Sequence, residues 1–149
     1  MPKYVVDTNL YVAAITTDEG NDALAAFQRR LAPFLFQHSA VAQEILAGAR
    51  SRAGYRAYYQ DWIAPFEALH RVITPTHGCW LLAALIMTRL VETGSMSPGG
   101  FRRSFVNDCL IAASAREHGF VLVTGNTADF RLIRRVEPRF AFAPPWPAG

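Results

Sequence analysis

Two short apolar runs, Tyr4-Val5-Val6 and Phe120-Val121-Leu122-Val123, each lead directly into a polar segment. Their apolarity is continuous rather than alternating. That pattern fits strands covered on both faces, the condition of a parallel sheet between layers of helix. The chain between them supplies the helices. Thr8 to Ile15 starts a short one, and Asn21 or Asp22 is the expected cap of a second, with Ala23, Leu24, Phe27 and Leu31 on one face. Pro33 ends that helix, and Phe34-Leu35-Phe36 reads as another strand. Ser39 is placed to cap a helix running to about Arg52, and Tyr58 to His70 reads as a helix interrupted at Pro65. Trp80 to Val91 is apolar and of helical length, with Gly94 as its stop. Ser95 to Gly100 is a loop. Phe105 to His118 forms a helix closed by Gly119, a last helix covers residues 129–136, and Phe140-Ala141-Phe142 adds an edge strand. The tail Pro144-Pro145-Trp146-Pro147 cannot extend a sheet.

Strands separated by helical segments imply an α/β layered fold with a mostly parallel sheet, built as one domain over residues 1–149. No internal repeat or linker interrupts it. Ligands in such folds bind just beyond the carboxyl ends of the strands. That rule directs attention to Asp7, directly after the first strand, and to the turn from Thr124 to Asp129 after the last strong one.

Hydrophobic residues make up 51% of the chain and charged residues 18%, which excludes a disordered chain. The longest apolar run, Cys79 to Met87, is far short of the roughly 20 residues that cross a bilayer. The start, Met1-Pro2-Lys3, lacks the order of a signal peptide, so the cytoplasm is the expected location and no membrane partner is expected. Cys79 and Cys109 form no CxxC pair and the four histidines are scattered, so no zinc site of usual spacing is expected and the thiols read as free and buried. The net charge is +3, carried by 14 arginines and one lysine. If four of the 12 acids share one site, the rest of the molecule carries +7, suited to a polyanion.

Four acids stand out. Asp7 opens Asp-Thr-Asn, good N-cap chemistry as well as a position at the sheet edge. Glu44 lies in the helix after the second strand, where an exposed helix face is the ordinary reading. Asp108 sits in Phe105-Val106-Asn107-Asp108-Cys109-Leu110-Ile111-Ala112-Ala113, so apolar that its charge must be paired, solvated or metal-bound. Asp129 follows the last strong strand, in a segment that also suits a cap or turn. Carboxylates brought together raise one another's pKa unless a cation intervenes, and oxygen-only ligation selects hard ions such as Mg²⁺ or Mn²⁺.

Val5-Val6-Asp7-Thr8-Asn9, Glu44-Ile45-Leu46-Ala47-Gly48, Asn107-Asp108-Cys109-Leu110-Ile111-Ala112-Ala113-Ser114-Ala115 and Leu122-Val123-Thr124-Gly125-Asn126-Thr127-Ala128-Asp129-Phe130 resemble, in order, the motifs of PIN-domain ribonucleases. Within that family the chain resembles the VapC-type toxins of bacterial toxin–antitoxin pairs, over about residues 3 to 140. The resemblance implies a PIN-like three-layer sandwich with a mostly parallel central sheet flanked by helices. It also implies Mg²⁺ or Mn²⁺ at Asp7, Glu44 and Asp108, RNA cleavage, inhibition by a cognate antitoxin, and a homodimer. Asn9 and Thr124 resemble the family's supporting polar residues. Many members carry an acid two positions after the threonine, where this chain has Asn126. Two options then stand: Asp129 takes that role, or the site runs on three acids.

The chemistry so implied is phosphodiester hydrolysis by metal-activated water, with Asp129 or Asn126 holding a second ion or its waters. Arg102, Arg103, Arg131 and Arg134, with Arg135, are the first candidates for phosphate contacts. Arg50, Arg52, Tyr55, Arg56, Tyr58 and Tyr59 interleave cations and aromatics, as single-stranded RNA binders do, although a solvated helix face with core tyrosines gives the same pattern. The stripe Trp80, Leu81, Leu82, Leu85, Met87 reads as core or as a dimer interface. Two other readings are a phosphatase with an aspartyl nucleophile at Asp7, which generally needs an acid where Asn9 stands, and a catalytically silent RNA- or protein-binding module.

Overall fold

The structure is a computed structural model that describes residues 2–148. Its centre is a five-stranded, all-parallel sheet of order β3-β2-β1-β4-β5. The strands are β1 (Lys3–Val6), β2 (Leu35–His38), β3 (Val72–Ile73), β4 (Phe120–Val123) and β5 (Ala141–Ala143). Lys3 to Val6 pairs residue for residue with Phe120 to Val123, so the two apolar runs lie side by side at the middle of the sheet. Val5, Val6, Leu122 and Val123 are essentially without exposure, because helices cover both faces.

Helices α1 (Thr8–Thr16) and α2 (Asp18–Leu31) join β1 to β2, and α3 (Ser39–Ala47), α4 (Arg52–Tyr58) and α5 (Ala64–Ala68) join β2 to β3. Helix α6 (His77–Glu92) and helix α7 (Arg103–His118) precede β4, and α8 (Thr127–Val136) joins β4 to β5. The interior is one cluster of apolar side chains drawn from every layer, including Tyr11, Phe27, Ile45, Ile86, Phe105, Ile111 and Phe130. Helix α7 is its spine. Cys109 to Ala115 are all buried, and the small residues Ala112, Ala113 and Ser114 let its neighbours approach closely.

Several boundaries differ from the sequence expectation. Helix α2 starts one turn early: Thr17, not Asn21 or Asp22, is the cap, and its hydroxyl accepts from Gly20 N at 3.0 Å. His38 rather than Ser39 caps α3, its Nδ1 accepting from Ala40 N at 3.0 Å. That helix stops at Ala47, well before Arg52. The expected helix from Tyr58 to His70 is three pieces. Residues Tyr59–Ile63 form a π-turn between α4 and α5, next to Pro65, which has no N–H to give to an α-helical ladder. Strand β3 was not foreseen. The edge strand at the far end is present as β5, and Gly94 and Gly119 take the left-handed conformation (φ 75° and 72°) expected of helix stops.

Candidate metal centre

The order 3-2-1-4-5 reverses direction between β1 and β4, and a parallel sheet opens a crevice at such a point, outside the carboxyl ends of its strands. Asp7 follows β1 there and Thr124 follows β4. Asp7 N donates to Val123 O at 2.8 Å, so the register of the two strands fixes where the aspartate stands.

Asp7 is buried and accepts three hydrogen bonds, which leaves acceptor capacity on Oδ1. Its Oδ1 accepts from Thr8 N at 2.8 Å, which makes it the N-cap of α1. Its Oδ2 accepts from Thr124 Oγ1 at 2.7 Å and from Asn9 Nδ2 at 3.1 Å. The capping and the functional readings of Asp7 are therefore compatible: the cap orients the carboxylate at the crevice. Asn9 Oδ1 in turn accepts from Gly125 N at 3.0 Å, closing a clasp between the two strand ends. The approach is close, since a side chain on Gly125 would bring its Cβ to 3.2 Å from Asn9 Oδ1. The Asn9 amide donates to Asp7 and carries no acidic proton, which removes the partner an aspartyl-nucleophile phosphatase requires.

Asp7, Glu44, Asp108 and Asp129 all line one cleft of about 420 Å³, together with Thr8, Asn9, Val12, Arg102, Ser104 and Asn126. Glu44 lies on α3, Asp108 on α7, and Asp129 in the first turn of α8. The sequence-based set is thus brought together from four separated segments. Asp129 and Asn126 are direct neighbours. Asn126 Nδ2 donates to Asp129 Oδ2 at 3.0 Å, and Arg102 Nη2 reaches the same oxygen at 3.2 Å. Thr8 and Ser104 were missed. Ser104 stands four residues before Asp108, so helical spacing alone would have put it on the same face.

The electrostatics match a cluster of like charges. Asp108 is pushed up to about 8, first by burial and then by the charges of Asp7, Asp129 and Glu44, against a smaller opposing pull from Arg102. Burial and the charge of Asp7 also raise Glu44. Burial raises Asp7 despite the hydrogen bonds from Thr124, Thr8 and Asn9 that favour its ionised form. Against this, the N-termini of α1, α3 and α8 open at the carboxyl edge of the sheet, and each carries partial positive charge.

The profile of the PIN-domain family matches residues 4–136. The chain belongs to the PIN-domain family. Its fold is shared with solved structures of low sequence identity. DNA-bound VapBC from Salmonella typhimurium superimposes with a TM-score of 0.70 at 21% identity, covering 97% of this chain and 98% of that one. FitAcB from Neisseria gonorrhoeae gives 0.69 at 18% identity over 97% and 99% of the two chains. VapBC2 from Rickettsia felis, bound to a fragment of promoter DNA, gives 0.66 at 23% identity over 97% and 98%. A search of curated protein sequences gives no match.

Of the arginines expected near this PIN-domain cleft, Arg102 lines it, whereas Arg103, Arg131 and Arg134 do not. Arg134 lies over the ring of Phe142 at 4.4 Å, a stacking role on β5. In the basic-aromatic stretch Tyr55 is exposed, while Tyr58 and Tyr59 pack against the core. The α6 stripe divides too. Leu82 and Met87 face inward, and Trp80, Leu81 and Leu85 stand on the surface.

Proposed function

We propose that this chain is a metal-dependent endoribonuclease, the toxin of a bacterial toxin–antitoxin pair, working as one nuclease domain. The observation that carries the reading is the convergence of Asp7, Glu44, Asp108 and Asp129 on one cleft at the switch point of the sheet. Membership of the PIN-domain family and the shared fold with VapBC toxin–antitoxin complexes support it.

The residues fit a hard divalent cation, Mg²⁺ or Mn²⁺. Among the described residues the donors around the cleft are chiefly carboxylate oxygens, with no sulfur or imidazole lining it, and the buried Thr8 hydroxyl there has no partner in hydrogen-bond geometry. Among the described residues, no three of these acids bring their oxygens within 4.8 Å of one another. A Mg²⁺ ion that keeps several of its waters suits such a spacing. Asp7 and Asp108 are the principal ligands in this reading, with Glu44 completing the shell. Asp129 with Asn126 holds further waters or a second ion. When bound, the ion supplies a nucleophile at neutral pH by lowering the pKa of water, and it polarises the phosphoryl oxygen.

The protein's own groups do the rest. Thr124 and Asn9 hold Asp7 in one orientation, so no rearrangement accompanies charge development. Arg102, beside Asp129, is placed to meet a phosphate, and the helix N-termini favour an anion in the crevice. The partners that follow are an RNA strand and a small antitoxin, and the exposed face of α6 around Trp80, Leu81 and Leu85 is the proposed seat of a homodimer.

The test is purified protein with labelled total RNA, with and without Mn²⁺, comparing wild type with Asp7→Asn and Asp108→Asn. The expected result is cleavage that needs the metal, stops in EDTA, and falls by on the order of a hundredfold or more in either variant. Equal cleavage by all three proteins would identify a contaminant and defeat the proposal. RNA binding that persists in EDTA without cleavage under any metal would mark a silent binding module instead.

A further inference from the structure

The antiparallel packing of α6 on α7 brings a second group of ligand-type side chains together, far from the cleft. Cys79 lies in the first turn of α6, and Glu117 and His118 end α7. The Cys79 sulfur, a Glu117 oxygen and a ring nitrogen of His118 all lie within 4.8 Å of one another. Glu117 is nine residues beyond Asp108 on the same helix, about 14 Å along its axis. The two clusters are therefore separate sites.

Two observations show how the cluster is held together, and a third points to a ligand. Cys79 is wholly buried, and its thiol donates to Glu117 Oε2. Thr76, the cap of α6, reaches the same carboxylate oxygen with its hydroxyl at 2.6 Å and lies 3.4 Å from the Cys79 sulfur. The cap thus holds the carboxylate against the thiol. His118 Nε2 is buried without a hydrogen-bond partner among the described residues, an expensive state for an imidazole nitrogen. The donor set is one sulfur, one nitrogen and one oxygen, from residues 38 and 39 positions apart in sequence, so no short motif announces it.

We propose that Cys79, Glu117 and His118 form a second metal site, specific for Zn²⁺, that clips the start of α6 to the end of α7. Thiolate and imidazole select a borderline-soft ion, whereas the carboxylate cleft selects a hard one. Tetrahedral Zn²⁺ with bonds of about 2.0–2.3 Å sets its ligand atoms roughly 3.3–3.8 Å apart, and the three atoms here already lie within 4.8 Å of one another. Three protein ligands leave a fourth position for water beside Thr76. On binding, the Cys79 S–H bond breaks, a sulfur–zinc bond forms, and one proton leaves to the buffer.

Co²⁺ added to the metal-free protein tests this, because only a thiolate ligand gives an intense sulfur-to-cobalt charge-transfer band. The expected result is such a band saturating at one equivalent and displaced by Zn²⁺. It persists in Asp108→Asn and Cys109→Ser and disappears in Cys79→Ser. Glu117→Gln, at an exposed position that leaves folding intact, weakens Co²⁺ binding on the order of tenfold or more. Zn²⁺ raises the Tm of wild type and of Asp108→Asn, but not of Cys79→Ser. Absence of the band in wild type, its survival in Cys79→Ser, or unchanged affinity in Glu117→Gln would overturn the proposal.

Discussion

Asp108, pushed up to about 8 by burial and by three neighbouring acids, keeps its proton at neutral pH while the cleft lacks a cation. An unfolded chain releases that proton near 3.8. The folded state therefore binds more protons between the two values. The stability this contributes is complete below about 4 and is lost as pH rises through about 8. Asp108→Asn removes the loss. The metal-free variant is expected to be more stable than metal-free wild type at pH 8 by on the order of 5 kcal/mol, or roughly 10–20 °C in Tm, with the curves meeting near pH 4. Thermal unfolding across that range checks it, and identical curves would show that Asp108 ionises without penalty. Mn²⁺ is expected to reverse the order at pH 8 by stabilising wild type alone. At this scale much was legible in the sequence. An aspartate in so apolar a helix, and another directly after a buried strand, each demand a special environment. The relation of Asn126 to Asp129 was not legible, because it depends on how the turn after β4 folds back on itself.

Helix starts place the acids, so caps and close contacts matter beyond their own turn. His38 ends β2, caps α3 and lies 2.9 Å from Ser114 Oγ on α7, tying together the helices that carry Glu44 and Asp108. Burial and the charge of His118 lower His38 to about 4, so it folds as the neutral ring. The unfolded histidine gains its proton near 6.5, which makes the native protein lose stability as pH falls from about 6.5 to 4. His38→Asn keeps an acceptor for the cap and is expected to flatten that acid limb. His38→Ala is expected to cost about 2–3 kcal/mol at pH 7 by denaturant unfolding. A second close contact explains why α2 begins early. A Cβ on Gly20 would lie 2.3 Å from Ala13 O, so only glycine permits the tight corner between α1 and α2. Gly20→Ala is expected to destabilise by about 2 kcal/mol, and a neutral result would show that the corner opens freely. Sequence periodicity located most of the long helices but could not see such tertiary contacts, nor a β3 of two residues that pairs only because β2 offers an edge.

Across the whole molecule, the four cleft acids leave the remaining chain at +7, an excess spread over arginines. With roughly three phosphates neutralised, affinity for single-stranded RNA is expected to fall about 10–20-fold between 50 and 200 mM salt, measured on the inactive Asp7→Asn protein. A salt-independent affinity would remove the basic surface from the account. The layered parallel fold itself was legible, because buried parallel strands are continuous apolar runs and the ends of such strands are where chemistry collects. Which apolar side chains stand on the surface was less so, since Trp80 and Leu81 carry the same apolar signal as the core beneath them. The most direct test of the metal centre is anomalous diffraction from a crystal grown with Mn²⁺. The expected result is a manganese peak in the cleft between Asp7 and Asp108. A crystal that takes up manganese elsewhere while this cleft stays empty would contradict it.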